Sequence, residues 1–186
     1  MRQGQRLVSM VEVAIMAAIA IVFNHLTPFQ LWPNGGSITL SMVPIVAVAF
    51  RRGVKPGLMC GLLTGALLIA LGGTVVHPVQ AALDYPIAFA AVGLAGWVRL
   101  SEGRSRQRQL WLIGLGVLVA GGIRYLAHVA SGVVFFSEYA GNQPVLLYSL
   151  GYNATFMVPE VLITLAVCGG VYWTAPQLLW RRERRG

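Results

Sequence analysis

Five ionisable side chains sit inside long apolar runs of this sequence: Glu12, Asp84, Arg124, His128 and Glu160. A charge at such a position is costly, and it either pairs with another group or serves a site. The stretch LDYPIAF, Leu83 to Phe89, poses the question most sharply, because Asp84 interrupts it beside Tyr85 and Pro86. A carboxylate accepts hydrogen bonds from an amino group or balances a cation. His128 adds an imidazole, Asn153 an amide, and Tyr85, Phe135, Phe136, Tyr139 and Tyr148 add ring faces that hold flat or cationic rings. Together these groups fit a small pocket for a cationic or amino-bearing aromatic molecule. The competing reading is that Asp84 and His128 only satisfy each other between helices.

Other chemistries lack their residues. The sequence has no GxxxxGK[ST] run, no nucleophile elbow, no HExxH and no carboxylate pair spaced for acid–base work, so it reads as neither an ATPase nor another enzyme. Cys60 and Cys168 lie in apolar runs without CxxC spacing, which argues against a disulfide framework or a metal site. The net charge of +8 is not carried by a polar domain with interleaved aromatics, so nucleic acid is not expected.

The elements that must position these groups are membrane spans. Of 186 residues, 56% are hydrophobic and 11% charged, more apolar surface than a soluble domain of this size can bury. Apolar runs near 7–26, 37–50, 56–72, 78–98, 110–136 and 146–173 predict an all-α bundle of six transmembrane helices, a single domain over 1–186. Arginine and lysine fall at every second connection: Arg2 and Arg6; Arg51, Arg52 and Lys55; Arg99, Arg104, Arg106 and Arg108; Arg181, Arg182, Arg184 and Arg185. The alternate connections, 27–36, 73–77 and 137–145, contain none. By the positive-inside rule both termini are cytoplasmic. The expected location is the cell membrane, with the lipid bilayer as solvent.

Depth then sorts the polar groups. At about 1.5 Å per residue, Asp84 lies roughly 9 Å and His128 roughly 12 Å below the outer ends of their spans, with Asn153 about as deep. Arg124 and Glu160 fall roughly 20 Å in, where an interhelical ion pair with a structural role is expected. Glu12, near the inner end, is expected to reach interfacial arginines such as Arg6, and His25 and His77 to be solvated. The second span is short and holds Pro44, which predicts a broken or tilted helix, with Gly35 and Gly36 letting the preceding loop fold back. Gly57, Gly61 and Gly65 make a stripe for close internal packing. A similar stripe at Ala14 and Ala18, with Val22 one turn on, is suited to packing or to docking another membrane subunit. Pro86 is expected to bend its helix and aim Asp84 inward.

The order of VEVAIMAAIAIVF, SMVPIVAVAFRRGVKPGLMCGLLTGAL, LDYPIAFAAVGLAG, IRYLAHVASGVVFFSEYAG and LLYSLGYNATF resembles the thiamine-binding S components of energy-coupling factor transporters, over nearly the whole chain. The resemblance implies that Asp84, Tyr85, His128, Phe136, Tyr148 and Asn153 enclose thiamine. It implies that acid and amide meet the aminopyrimidine while His128 and the aromatics hold the rings. It further implies a prokaryotic plasma-membrane importer whose S component binds no cofactor. Ala14 and Ala18 would face a membrane-embedded coupling subunit, and ATP would be hydrolysed by two partner ATPases. Two positions depart from the family pattern, Asp84 where Glu is usual and Phe136 where Trp is usual. They leave open a related amino-pyrimidine or other heterocycle as ligand. A non-transport structural membrane protein and an ion-coupled carrier are the remaining alternatives, the carrier disfavoured by the lack of repeated halves.

Overall fold

The computed structural model describes residues 3–26, 32 and 35–180, all of them in helices, turns and extended connections. Arg2, Arg181, Arg182, Arg184, Arg185 and most of the connection 27–36 therefore lie outside the described residues. Helix α1 runs Gln3–His25, α2 Met42–Arg52, α3 Val54–Ala70, α4 Pro78–Ala82, α5 Ala88–Val92, α6 Arg106–Phe135 and α7 Val145–Thr174. Among the described residues, four stretches are long and apolar enough to cross a membrane: Gln3–His25, Pro78–Trp97, Arg106–Phe135 and Val145–Thr174. Helix α3 is apolar but shorter.

The expected span 37–50 is helical only from Met42. A helix extended further back would need an N–H from Pro44 to the carbonyl of Leu40, which proline cannot supply. Within the first turn of α2 that missing donor has no consequence. Residues 37–41 instead run as non-helical chain into α2, with Thr39 and Ser41 bonded to α7. Glu160, fully buried on α7, accepts hydrogen bonds from Thr39 Oγ1 at 2.8 Å and Ser41 Oγ at 3.2 Å. The same oxygen lies 3.0 Å from Arg124 Nη1 of α6, whose guanidinium stands 4.3 Å over the Phe89 ring. A buried ion pair needs added hydrogen bonds to offset its desolvation, and the two hydroxyls supply them.

Helix α2 ends at Gly53, whose φ of 93° lets α3 begin at the next residue. Arg51 and Arg52 in that last turn pair with Glu12 of α1. Arg6, the expected partner, is exposed on the first turns of α1. The turn at Gly53 brings two arginines to Glu12 from another helix, a contact that spacing along α1 does not reveal.

Helix α3 lies among α1, α2 and the segment from Leu83 to Trp97. Its glycine stripe faces that segment: a Cβ on Gly61 would overlap the Phe89 carbonyl, and one on Gly65 would come within 2.5 Å of the Tyr85 carbonyl. The stripe is internal packing, backbone against backbone.

The expected single helix 78–98 is four pieces. After α4 the chain widens into a π turn, Leu83–Ile87, returns to α5, and tightens into a 3₁₀ stretch, Gly93–Trp97. Pro86 lies inside the π turn, where its ring would otherwise press on the carbonyl of Ala82. The extra residue in the turn relieves that clash.

Helix α1 is buried at Ser9, Val13, Ala17 and Ala20. Met10, Ala14, Ala18 and Val22 form an exposed stripe along another face.

Candidate functional site

Asp84 and Tyr85 on the π turn, His128 and Phe136 on and just beyond α6, and Tyr148 and Asn153 on α7 line one cavity. The π turn offers Asp84 from an element that carries both a proline and a close glycine contact on its opposite side. His128 lies seven residues from the end of α6, and Asn153 eight from the start of α7, so two long neighbouring helices present them at matching depth.

The polar centre is a network. His128 Nδ1 lies 3.0 Å from Asp84 Oδ1, and because an ionised carboxylate only accepts, Nδ1 carries the proton and donates it. Ser131 Oγ and Gln80 Nε2 both donate to Asp84 Oδ2 at 2.7 Å. Asn153 Nδ2 donates to Ser149 O at 2.9 Å and to His128 O at 3.5 Å, joining α7 to the α6 backbone beside the imidazole. The mutual pairing of Asp84 and His128 and their exposure to a cavity are thus both present. Neither of the two readings of these residues excludes the other.

The ring surfaces differ from the sequence expectation. Phe136 and Tyr148 line the cavity with Tyr85. Phe135 instead stacks on His77 at 5.0 Å between centroids, and Tyr139 is exposed beside Phe136. His77 also caps α4, its Nδ1 accepting from the N–H of Val79 at 3.1 Å, so it is exposed but not idle. Tyr152 and Phe156 are wall residues that sequence reasoning missed. Phe156 meets the His128 ring edge to face at 5.8 Å. Both extend the α7 face that carries Tyr148 and Asn153, at helical spacings of three and four residues.

Gly35 and Gly36 close one side. Their φ values of 89° and 107° belong to the left-handed region, and Gly36 lies so near Phe156 that a Cβ would come within 2.7 Å of the ring. Tyr152 donates to the Gly35 carbonyl at 2.9 Å, and Trp32 Nε1 donates to Thr155 Oγ1 at 2.6 Å. The chain does fold back here, against α7. Ala14 and Ala18 are outside the cavity, on the exposed face of α1, and Arg124 and Glu160 lie in the buried knot described above.

What this arrangement can do is hold a flat ring between aromatic walls and offer hydrogen-bonding groups to its edge. Comparison with known proteins adds identity. Residues 10–180 match the thiamine transporter protein family, Thia_YuaJ. The chain is 41% identical to the thiamine transporter ThiT of Bacillus subtilis, over 96% of this chain and 97% of that one. It is 32% identical to the thiamine transporter ThiT of Lacticaseibacillus paracasei, over 98% and 96%. Its fold superposes on the solved structure of ThiT from Listeria monocytogenes with a TM-score of 0.86 and 28% identity, covering 95% of this chain and 99% of that one. Acidic and aromatic residues around one cavity, an apolar helical fold and these full-length matches converge: the chain belongs to the thiamine transporter protein family, a family of transporters and not of enzymes.

Proposed function

We propose that this protein is the substrate-capture subunit of an energy-coupling factor importer and that its ligand is thiamine. The observation that carries the proposal is the cavity itself, where an acid–imidazole pair, an amide and aromatic rings from three separate stretches meet. Thiamine joins an aminopyrimidine to a cationic thiazolium, and each half finds a matching group. The amino edge finds acceptors in Asp84 and its neighbours, the rings find Tyr85, Phe136 and Tyr148, and the positive charge finds the carboxylate. The relatives are thiamine transporters, which supports the same ligand.

The remaining parts follow the charge pattern and the family. The chain, a single unit over 1–186, crosses the plasma membrane of a prokaryote six times with both termini inside and its cavity in the outer half. The exposed stripe at Ala14 and Ala18 docks a membrane-embedded coupling subunit, and two ATPases bound to that subunit hydrolyse the ATP that drives release. Arg124 and Glu160 hold the bundle together and do not touch ligand.

The test is calorimetry on purified protein with thiamine, its phosphates and its separate pyrimidine and thiazole halves, repeated for Asp84→Asn. A hydrogen bond to a charged group contributes about 1.5–3 kcal/mol, so the substitution is expected to weaken thiamine binding roughly ten- to a hundredfold. Tighter binding of another amino-heterocycle would change the ligand and keep the family role. No saturable binding of any ring compound would overturn the proposal.

A further inference from the structure

Asp84 is held more completely than a ligand-binding acid requires. A carboxylate offers about four lone-pair positions. Gln80, Ser131 and His128 occupy three of them, two on Oδ2 and one on Oδ1. Gln80 and Ser131 line the cavity but are only 2% and 1% exposed, and each spends a donor on Asp84. Gln80 is itself fixed: its Oε1 accepts from the N–H of Val76 at 3.0 Å, and its Nε2 also reaches the Thr74 carbonyl at 3.3 Å. Ser131 stands three residues beyond His128 on α6, on the same face, so one helix supplies two donors to one acid.

The partner of this acid carries the consequence. With its Nδ1 proton committed to Asp84, a neutral His128 presents a lone pair at Nε2. That atom is buried and has no hydrogen-bond partner among the described residues. A buried polar atom without a partner is unfavourable, and a ligand N–H would relieve it.

We propose that Ser131 and Gln80 are positioning residues: they draw the short Asp84 side chain toward α6 and thereby fix the His128 ring, with Nδ1 committed to the acid and Nε2 set as the acceptor for a ligand N–H. With Ser131 Oγ 2.7 Å from Asp84 Oδ2, the additional methylene of a glutamate at position 84 would push its carboxylate against that hydroxyl, so serine at 131 and aspartate at 84 form a matched pair. The ligand part of this inference rests on the proposed thiamine function; the positioning part does not.

The experiment uses ligand-free, histidine-labelled full-length protein and follows the Nδ1–H proton resonance of His128 by NMR in the parent, Ser131→Ala and Gln80→Met. Either substitution removes one donor from the carboxylate, which then accepts more strongly from the imidazole, and the resonance moves downfield. Thiamine titration of the same proteins should show about tenfold weaker binding for Ser131→Ala, the range of one hydrogen bond to a charged group. The double variant Asp84→Glu with Ser131→Ala should bind more tightly than either single variant. A resonance unmoved in both folded variants would overturn the positioning role. Unchanged thiamine affinity in Ser131→Ala, or a double variant no better than the singles, would overturn the matched pair. If the parent binds no thiamine, the proposed ligand fails and the resonance alone decides the positioning role.

Discussion

Replacing Gly65 by alanine tests whether the glycine stripe of α3 sets the position of Asp84. A Cβ at Gly65 would lie 2.5 Å from the Tyr85 carbonyl and 2.6 Å from Pro86 N, both backbone atoms of the π turn. Ordinary contact begins near 3.4 Å, so the turn must move by about 0.9 Å, beyond the roughly 0.5 Å within which a binding constellation has to be held. A displacement of that size takes the 2.7 Å hydrogen bonds from Gln80 and Ser131 to Asp84 to about 3.6 Å, where they no longer count as bonds. Losing the set geometry of a charged acceptor forfeits about 1.5–3 kcal/mol, so thiamine affinity should fall roughly ten- to a hundredfold by calorimetry. Gly57→Ala is the control. Its Cβ would meet Ala49 and Gly93 about 12 Å further along α3, away from the cavity. It should lower the unfolding temperature while affinity stays within about threefold, a shift under 1 kcal/mol. Parent-like affinity in folded Gly65→Ala would refute the reasoning, as would an equal loss of affinity in Gly57→Ala.

Two further substitutions separate structure from docking. Glu160→Gln leaves the buried Arg124 without its countercharge and should destabilise the fold by about 3–5 kcal/mol, read as a lower unfolding temperature, with a smaller effect on thiamine affinity. The reverse ranking would move Glu160 into the site. Ala14→Trp or Ala18→Trp adds bulk to an exposed face, so cellular uptake should fall while the detergent-solubilised protein still binds thiamine. Loss of both together would make the stripe a packing surface.

The sequence made the cavity-facing groups legible because ionisable and amide side chains are rare in apolar runs, and Asp84, His128 and Asn153 stand out there. It made the helices legible for the same reason. What it concealed depends on contacts between distant segments. Glu12 found Arg51 and Arg52 because a turn at Gly53 folds α2 and α3 beside α1, and Glu160 found Thr39 and Ser41 through a non-helical strand that looks like helix by composition. Gln80 and Ser131 were closer to reach: they lie four residues before Asp84 and three after His128, the spacings that place side chains on one helix face. Phe135 shows the limit of counting rings, since adjacent residues on a helix diverge by about 100°, and only Phe136 faces the cavity.

The π turn at Leu83–Ile87 has a genetic consequence. An α-helix advances about 100° per residue, so the one residue that the wider turn accommodates sets the angular phase between everything before it and everything after. Deleting any one residue in 83–87 restores ordinary spacing and forces a choice. Either Gln80 keeps its place and the buried Phe89 and Val92 swing out of the core, or the core keeps its phase and Gln80 leaves the cavity. Point substitutions here are graded in effect, whereas a single-codon deletion is all or nothing, which makes this turn the place where the chain tolerates changes of letter but not of length.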